Sequence, residues 1–137
     1  MNNIGTKAPT PEIIQQIYNE LVSSGDDPAL RKYISENYVY KNPFEDTVGH
    51  QPIKDLVKAQ LESFRNYKLT LDRIIIDHDK KSVAILWTIT GIFEKAFFGY
   101  PPTGKKVHFS GVTMQEWDNG QAITGWGYSN IHEKLSL

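Results

Sequence analysis

Apolar residues recur at helical spacing through the first half of this chain and alternate at strand spacing through the second. Ile13, Ile14, Ile17, Leu21 and Val22 follow Thr10-Pro11, a side-chain cap ahead of a proline at the first helical position, and predict a helix that Gly25 ends. Asp27-Pro28 repeats the signal for a short second helix carrying Leu30, Tyr33 and Ile34 inward, after which Tyr38-Val39-Tyr40 turns extended. A loop follows. From Pro52 to about Phe64, the positions Ile53, Leu56, Val57, Leu61 and Phe64 form an apolar stripe opposite charged residues, which is a third helix packed on something flat. Segments 69–77, 83–94, 107–117 and 121–130 supply the flat partner, being rich in β-branched and aromatic residues, with Asp118-Asn119-Gly120 as a hairpin signal between the last two. Helices followed by strands predict an α+β fold: three N-terminal helices on a mainly antiparallel sheet.

Gly91, Gly99 and Gly111 interrupt the long strands, and glycine in strands marks bends and bulges, so the sheet is expected to curve strongly over the helices and leave an apolar pocket. Trp87, Ile89 and Phe93 share one face of their strand by alternation, with Phe64 and Phe44 available from the helical side. Each of these residues fits an ordinary core equally well. Which face of the last two strands looks inward stays open, because a hairpin turn of two or of three residues swaps the faces.

Composition adds mainly exclusions. A length of 137 residues is one domain's worth, read as a flexible segment over 1–10, a single domain over 11–132 and a tail over 133–137. The absence of cysteine removes disulfides, thiol nucleophiles and thiolate metal sites and fits a reducing compartment; with Met1 to Thr10 short and polar and without an apolar targeting run, the cytoplasm is the default. A net charge of −1 with scattered Lys and Arg argues against nucleic acid, and no apolar run approaches a membrane span. His50, His78, His108 and His132 are far apart and no carboxylates are paired at ligand spacing, so neither a metal nor another cofactor is expected. Ser23, Ser24 and Ser110 lack the strand–turn–helix setting of an activated nucleophile.

Gly99-Tyr100-Pro101-Pro102-Thr103-Gly104-Lys105 has the spacing of a phosphate-binding loop and the wrong chemistry for one. Pro101 and Pro102 have no N–H to offer a phosphate, Lys106 replaces the metal-binding hydroxyl, and the following residues read as a strand. The segment is a strand connector, with the prolines stiffening a loop at the pocket's rim and Phe97, Phe98 and Tyr100 near its opening.

Phe98 to Lys105, Val107-His108-Phe109-Ser110-Gly111 and the closing Asp118-Asn119-Gly120 to Trp126 resemble the SnoaL-like polyketide cyclases, within the nuclear-transport-factor-two-like superfamily that includes ketosteroid isomerase. Tyr38 to Pro43 and Trp87-Thr88 match more loosely, and the resemblance runs from about Ile13 to Asn130. It implies a cone-shaped α+β barrel, a deep apolar pocket, a small apolar ligand or substrate, and a homodimer formed through the sheet. Fold does not dictate reaction. The family's acid–base chemistry on apolar carbonyl compounds uses an Asp in a His-Trp-Asp segment, which reads Gly125-Trp126-Gly127 here. The isomerase's basic Asp-Pro reads Asn42-Pro43, and its oxyanion-hole pair of tyrosine and protonated Asp falls on Tyr18 and Thr113.

The candidates for chemistry are therefore Tyr18, Asn42 and His108. Tyr18 is equally a core tyrosine, Asn42 equally a turn residue, and His108 would pair with Glu116 only if their shared face looked inward. The expected pocket lining is Tyr40, Phe44, Phe64, Trp87, Ile89, Phe93, Phe98, Phe109, Thr113, Trp126 and Tyr128. Two functions remain open: a cofactor-independent isomerase- or cyclase-type enzyme, and a non-catalytic binder in which glycines beside Trp126 widen the pocket while removing its reactive group.

Overall fold

A computed structural model describes residues 9–23 and 27–136. The Thr10 hydroxyl accepts a hydrogen bond from the Ile13 N–H at 3.2 Å and opens helix α1 (Pro11–Val22) as its cap predicts. Gly25, its expected stop, and residues 1–8 of the expected N-terminal segment lie outside the described residues. In helix α2 (Pro28–Tyr33) the buried Asp27 makes no side-chain cap bond. Its carboxylate pairs with Arg31 at 3.1 Å and with Lys54 at 3.4 Å.

Strand β1 (Ile34–Lys41) contains the extended Tyr38-Val39-Tyr40 and is followed by strand β2 (Asp46–Val48), a short edge strand inside the expected loop. Helix α3 (His50–Ser63) starts earlier than expected and hands over to strand β3 (Phe64–Asp77) without a loop, so Phe64 belongs to the strand. Strands β4 (Ser82–Phe93), β5 (Lys106–Asp118) and β6 (Gln121–Ser129) complete a curved sheet ordered β2-β1-β6-β5-β4-β3, antiparallel except where β1 lies beside β6. Segment 133–137, expected as a tail, carries the end of helix α4 (Ile131–Leu135), which buries Ile131 and Leu135. No described helix is long and apolar enough to cross a membrane.

The β5–β6 hairpin holds two residues at its tip, Asn119 and Gly120, both at positive φ, and pairs Asp118 with Gln121. That turn, together with an irregularity in register after Glu116, decides the faces. Phe109, Thr113, Gln115 and Trp117 are buried on the inner side of β5, while His108, Met114 and Glu116 are exposed on the other. Register thereby converts one turn length into the choice of every inward side chain.

Two apolar cores fill the concave side. One gathers Ile14, Ile17, Leu30, Ile34, Val83 and Ile85 beneath α1 and α2. The other gathers Phe64, Phe93, Phe97, Phe109, Ile131 and Leu135 against α4. The connector after β4 closes the second core: Phe97 and Tyr100 exchange backbone hydrogen bonds across Phe98 and Gly99, and the Tyr100 hydroxyl meets His132 Nδ1 at 2.6 Å. Phe98 stacks on Phe44 at 4.3 Å. This loop seals the end of the sheet next to α4, and none of its residues lines the central cavity that the sequence places beneath it.

Candidate functional site

Between the two cores lies a cavity of about 110 Å³, walled by α1, α3 and the inner faces of four strands, β1, β3, β4 and β5. Helix α3 explains why it exists. Its amphipathic stripe predicts burial, yet Ile53, Leu56 and Val57 are only half-buried: all three line the cavity, with Ile53 and Leu56 also packed at the margins of the two cores, and Ser63 is the helix's only fully buried residue. The apolar wall continues through Leu21, Leu30, Ile34, Leu69 and Ile89.

Polar groups are concentrated in the cavity: Tyr18, Tyr38, Tyr40, Tyr67, Thr113, Gln60, Gln115 and Trp87. Two indoles set the direction of their hydrogen bonds, since an indole N–H can only donate. Trp87 Nε1 donates to Thr113 Oγ1 at 3.1 Å, and the Tyr18 and Tyr40 hydroxyls lie close to the same Thr113 side chain. A threonine hydroxyl accepts two bonds and donates one. With Trp87 using one acceptor position, Thr113 can accept from at most one of the two phenols, so at least one phenol keeps an O–H that Thr113 does not take. The second relay is parallel: Trp117 Nε1 donates to Gln115 Oε1 at 3.0 Å, and Gln115 Nε2 donates to the Tyr38 hydroxyl at 3.5 Å. Tyr67 donates to Gln60 Oε1 at 2.9 Å.

Burial raises the pKa of all four tyrosines above the usual value, chiefly by removing water from the phenolate. Neighbouring phenols add to the rise at Tyr18 and Tyr38, and the nearby Thr113 hydroxyl opposes it at Tyr18 and Tyr40. No Asp, Glu, His, Lys or Arg lines the cavity among the described residues, and these residues hold no cluster of three or more potential metal ligands.

Of the residues singled out from sequence, the structure brings together Tyr18, Tyr40, Trp87, Ile89 and Thr113. Phe64, Phe93 and Phe109 lie in the second core, with Phe44 packed against it. Phe98 is exposed over a shallow outer recess. His108 and Tyr128 are exposed and Trp126 half-buried on the convex side, where the two-residue hairpin turns them. Asn42 is a turn residue: its Oδ1 accepts from the N–H groups of Phe44 at 2.9 Å and Glu45 at 3.2 Å. The sequence reading does not single out Tyr38, Gln60, Tyr67 or Gln115. Alternation with Tyr40 points to Tyr38, alternation with Thr113 to Gln115, and the α3 stripe to Gln60. Tyr67 precedes the expected strand, in a stretch where β3 shifts register.

Gly125 and Gly127 do not widen the cavity as expected. A methyl group on Gly125 would lie 1.8 Å from the Tyr38 hydroxyl, and one on Gly127 2.4 Å from the Tyr40 hydroxyl, so β1 tyrosines already occupy that space.

The sequence profile of the SnoaL-like polyketide cyclases matches residues 12–133. A search of curated proteins finds no match. Among solved structures, a candidate SnoaL-like polyketide cyclase from Jannaschia sp. CCS1 is similar at 17% identity over 91% of this chain and 92% of that one, with a TM-score of 0.75. The candidate polyketide cyclase IdmH from Streptomyces antibioticus is similar at 22% identity over 91% and 94%, with a TM-score of 0.69. A protein of ketosteroid isomerase-like fold from Catenulispora acidiphila, in complex with trimethylamine, is similar at 17% identity over 88% and 86%, with a TM-score of 0.63. These likenesses establish a shared fold.

Gly127→Ala is expected to lose about 1–3 kcal/mol to overpacking, measured by urea denaturation. Tyr40→Phe should restore part of that loss, because the nearest ring carbon stands 3.1 Å from the added methyl; equal stability of the single and double variants would contradict the contact. Alkaline titration gives a second check. Because the folded pKa of each cavity tyrosine lies above the unfolded value, the unfolded chain loses protons first and stability falls as pH rises past about 10. Urea midpoints followed through that range should fall less steeply in Tyr18→Phe, and an unchanged slope would mean that Tyr18 is not held as a buried neutral phenol.

Proposed function

Since this chain belongs to the SnoaL-like polyketide cyclase family, we propose that its cavity binds a small, uncharged, largely apolar compound through a carbonyl oxygen and performs no acid–base chemistry on it. The observation that carries this reading is the proton count around Thr113, which leaves a phenolic O–H available for an acceptor brought from outside. A carbonyl oxygen supplies two lone pairs and no proton, the complement of such a site. Apolar walls provide the remaining affinity.

Removing a proton beside a carbonyl needs a base within hydrogen-bond reach and with a pKa near the working pH. The cavity's tyrosines are shifted away from that range, and no carboxylate or imidazole lines the wall among the described residues. Donors without a base support binding over turnover.

Cyclohexanone, titrated into the protein while Trp87 fluorescence is followed, should bind saturably. Tyr18→Phe and Thr113→Val should each weaken binding about tenfold, the worth of roughly one hydrogen bond. Undiminished binding in both variants would refute the assigned contact, and protein-dependent exchange of the ketone's α-hydrogens with deuterated water would refute the non-catalytic role. Trimethylamine, the molecule held by the Catenulispora acidiphila protein, is the charge control; preference for it over the ketone would replace the carbonyl reading by a cation bound to the tyrosine faces.

The convex face of the sheet supports self-association. Ile75, Ala84, Met114 and Trp126 stand in one row across β3, β4, β5 and β6, and Leu86, Val112 and Tyr128 in the next. Ile75, Leu86, Met114 and Tyr128 are exposed, as large side chains seldom are over a contiguous patch. Sedimentation velocity should find a dimer that Met114→Lys with Tyr128→Lys dissociates while ketone binding persists. A monomeric unsubstituted protein would overturn this assignment.

A further inference from the structure

Tyr38 and Tyr40 fill ground that the facing strand has vacated. In register, Tyr40 stands opposite Gly125, but its hydroxyl reaches over Gly127, and the Tyr38 hydroxyl reaches over Gly125. Both rings therefore lean along β6, nearly parallel to each other at an interplanar angle of 18° and a centroid separation of 6.0 Å. Any side chain at 125 or 127 would evict them.

The Tyr38 ring is also pinned: it is held by Gln115, whose amide is oriented by Trp117, and rotation away from β6 would break that bond. The Tyr40 hydroxyl lies close to Thr113, whose own hydroxyl is engaged by Trp87. The volume they leave is small. A closed cavity of about 150 Å³ holds one benzene; this one measures about 110 Å³ and is half open, so a single ring fills it and reaches its mouth.

We infer that Tyr38 and Tyr40, seated over Gly125 and Gly127, set the size of the ligand and restrict the half-open site to a compound with a single ring. This rests on the carbonyl-binding reading above and sharpens it from a class of functional group to a class of skeleton. A fused-ring compound would have to leave its outer rings outside the cavity, in contact with water, and would lose the burial that drives its binding.

The test compares cyclohexanone, 1-decalone and a four-ring steroid ketone on the full chain, with binding read by Trp87 fluorescence and by ligand-observed nuclear magnetic resonance. The unsubstituted protein should bind cyclohexanone at least about tenfold more tightly than the four-ring ketone, a difference of roughly 1.4 kcal/mol. Tyr40→Ala, which removes the ring, should reverse that order; Tyr40→Phe, which keeps the ring and loses only the hydroxyl, should preserve it. Equal or tighter binding of the four-ring ketone by the unsubstituted protein overturns the size filter, as does an identical shift in Ala and Phe variants. If Tyr40→Ala does not fold, Tyr40→Leu takes its place, and the ranking in the unsubstituted protein still decides. Failure of every ketone to bind every form overturns the carbonyl reading and this inference with it, whereas indifferent binding of all three sizes overturns this inference alone.

Discussion

The contact on which the site depends is the seating of two tyrosine rings against two bare stretches of backbone. Glycine in a strand interior forfeits side-chain packing and costs conformational entropy, so a pair at alternate positions of β6 needs a compensating contact. The β1 tyrosines supply it by covering the backbone with aromatic surface and bringing their hydroxyls to the inner face. The parallel pairing of β1 with β6 is also what closes the sheet's concavity on that side. Wall, floor and hydrogen-bonding chemistry thus come from one interstrand contact.

Directionality comes from a different source. Phenols, threonine and glutamine can each reverse the sense of a hydrogen bond, and a network built only from them has several arrangements close in energy. Trp87 and Trp117 remove that freedom, because each can only donate and each donates into the centre of a relay. In a low-dielectric interior such fixed dipoles act more strongly than they would in water. The same environment keeps the phenols protonated, so the pocket presents hydrogens and no charge.

Much of the fold is legible in the residues. The Thr10-Pro11 start, the α3 stripe and the Asn119-Gly120 turn are local signals, and each appears where local physics puts it. Elements whose origin is tertiary are less legible: β2 exists because β1 offers an edge, and α4 because Ile131 and Leu135 find a core made by distant phenylalanines. The site divides in the same way. Trp87 and Thr113 follow from strand alternation once the inner face is known, but that face depends on a turn length that composition leaves open. The aromatic residues expected around one pocket are shared among that pocket, a separate core and the outer surface, because hydrophobicity reports burial without saying what is buried against what. Gly125 and Gly127 show the same gap. An absent side chain reads as space, and only the neighbouring strand reveals that the space is taken.

Helix α3 separates two demands that usually compete. Because Ile53, Leu56, Val57 and Gln60 line the cavity and are only half-buried, exchanging them changes what the cavity admits at less expense to folding than a change within either core. The tyrosine–glycine pairs across the sheet have no such freedom, since strand and ring must change together. Divergence among descendants of this chain would therefore proceed at two speeds: a rapidly drifting lid that retunes ligand shape, and a slow floor that moves only through coupled substitutions.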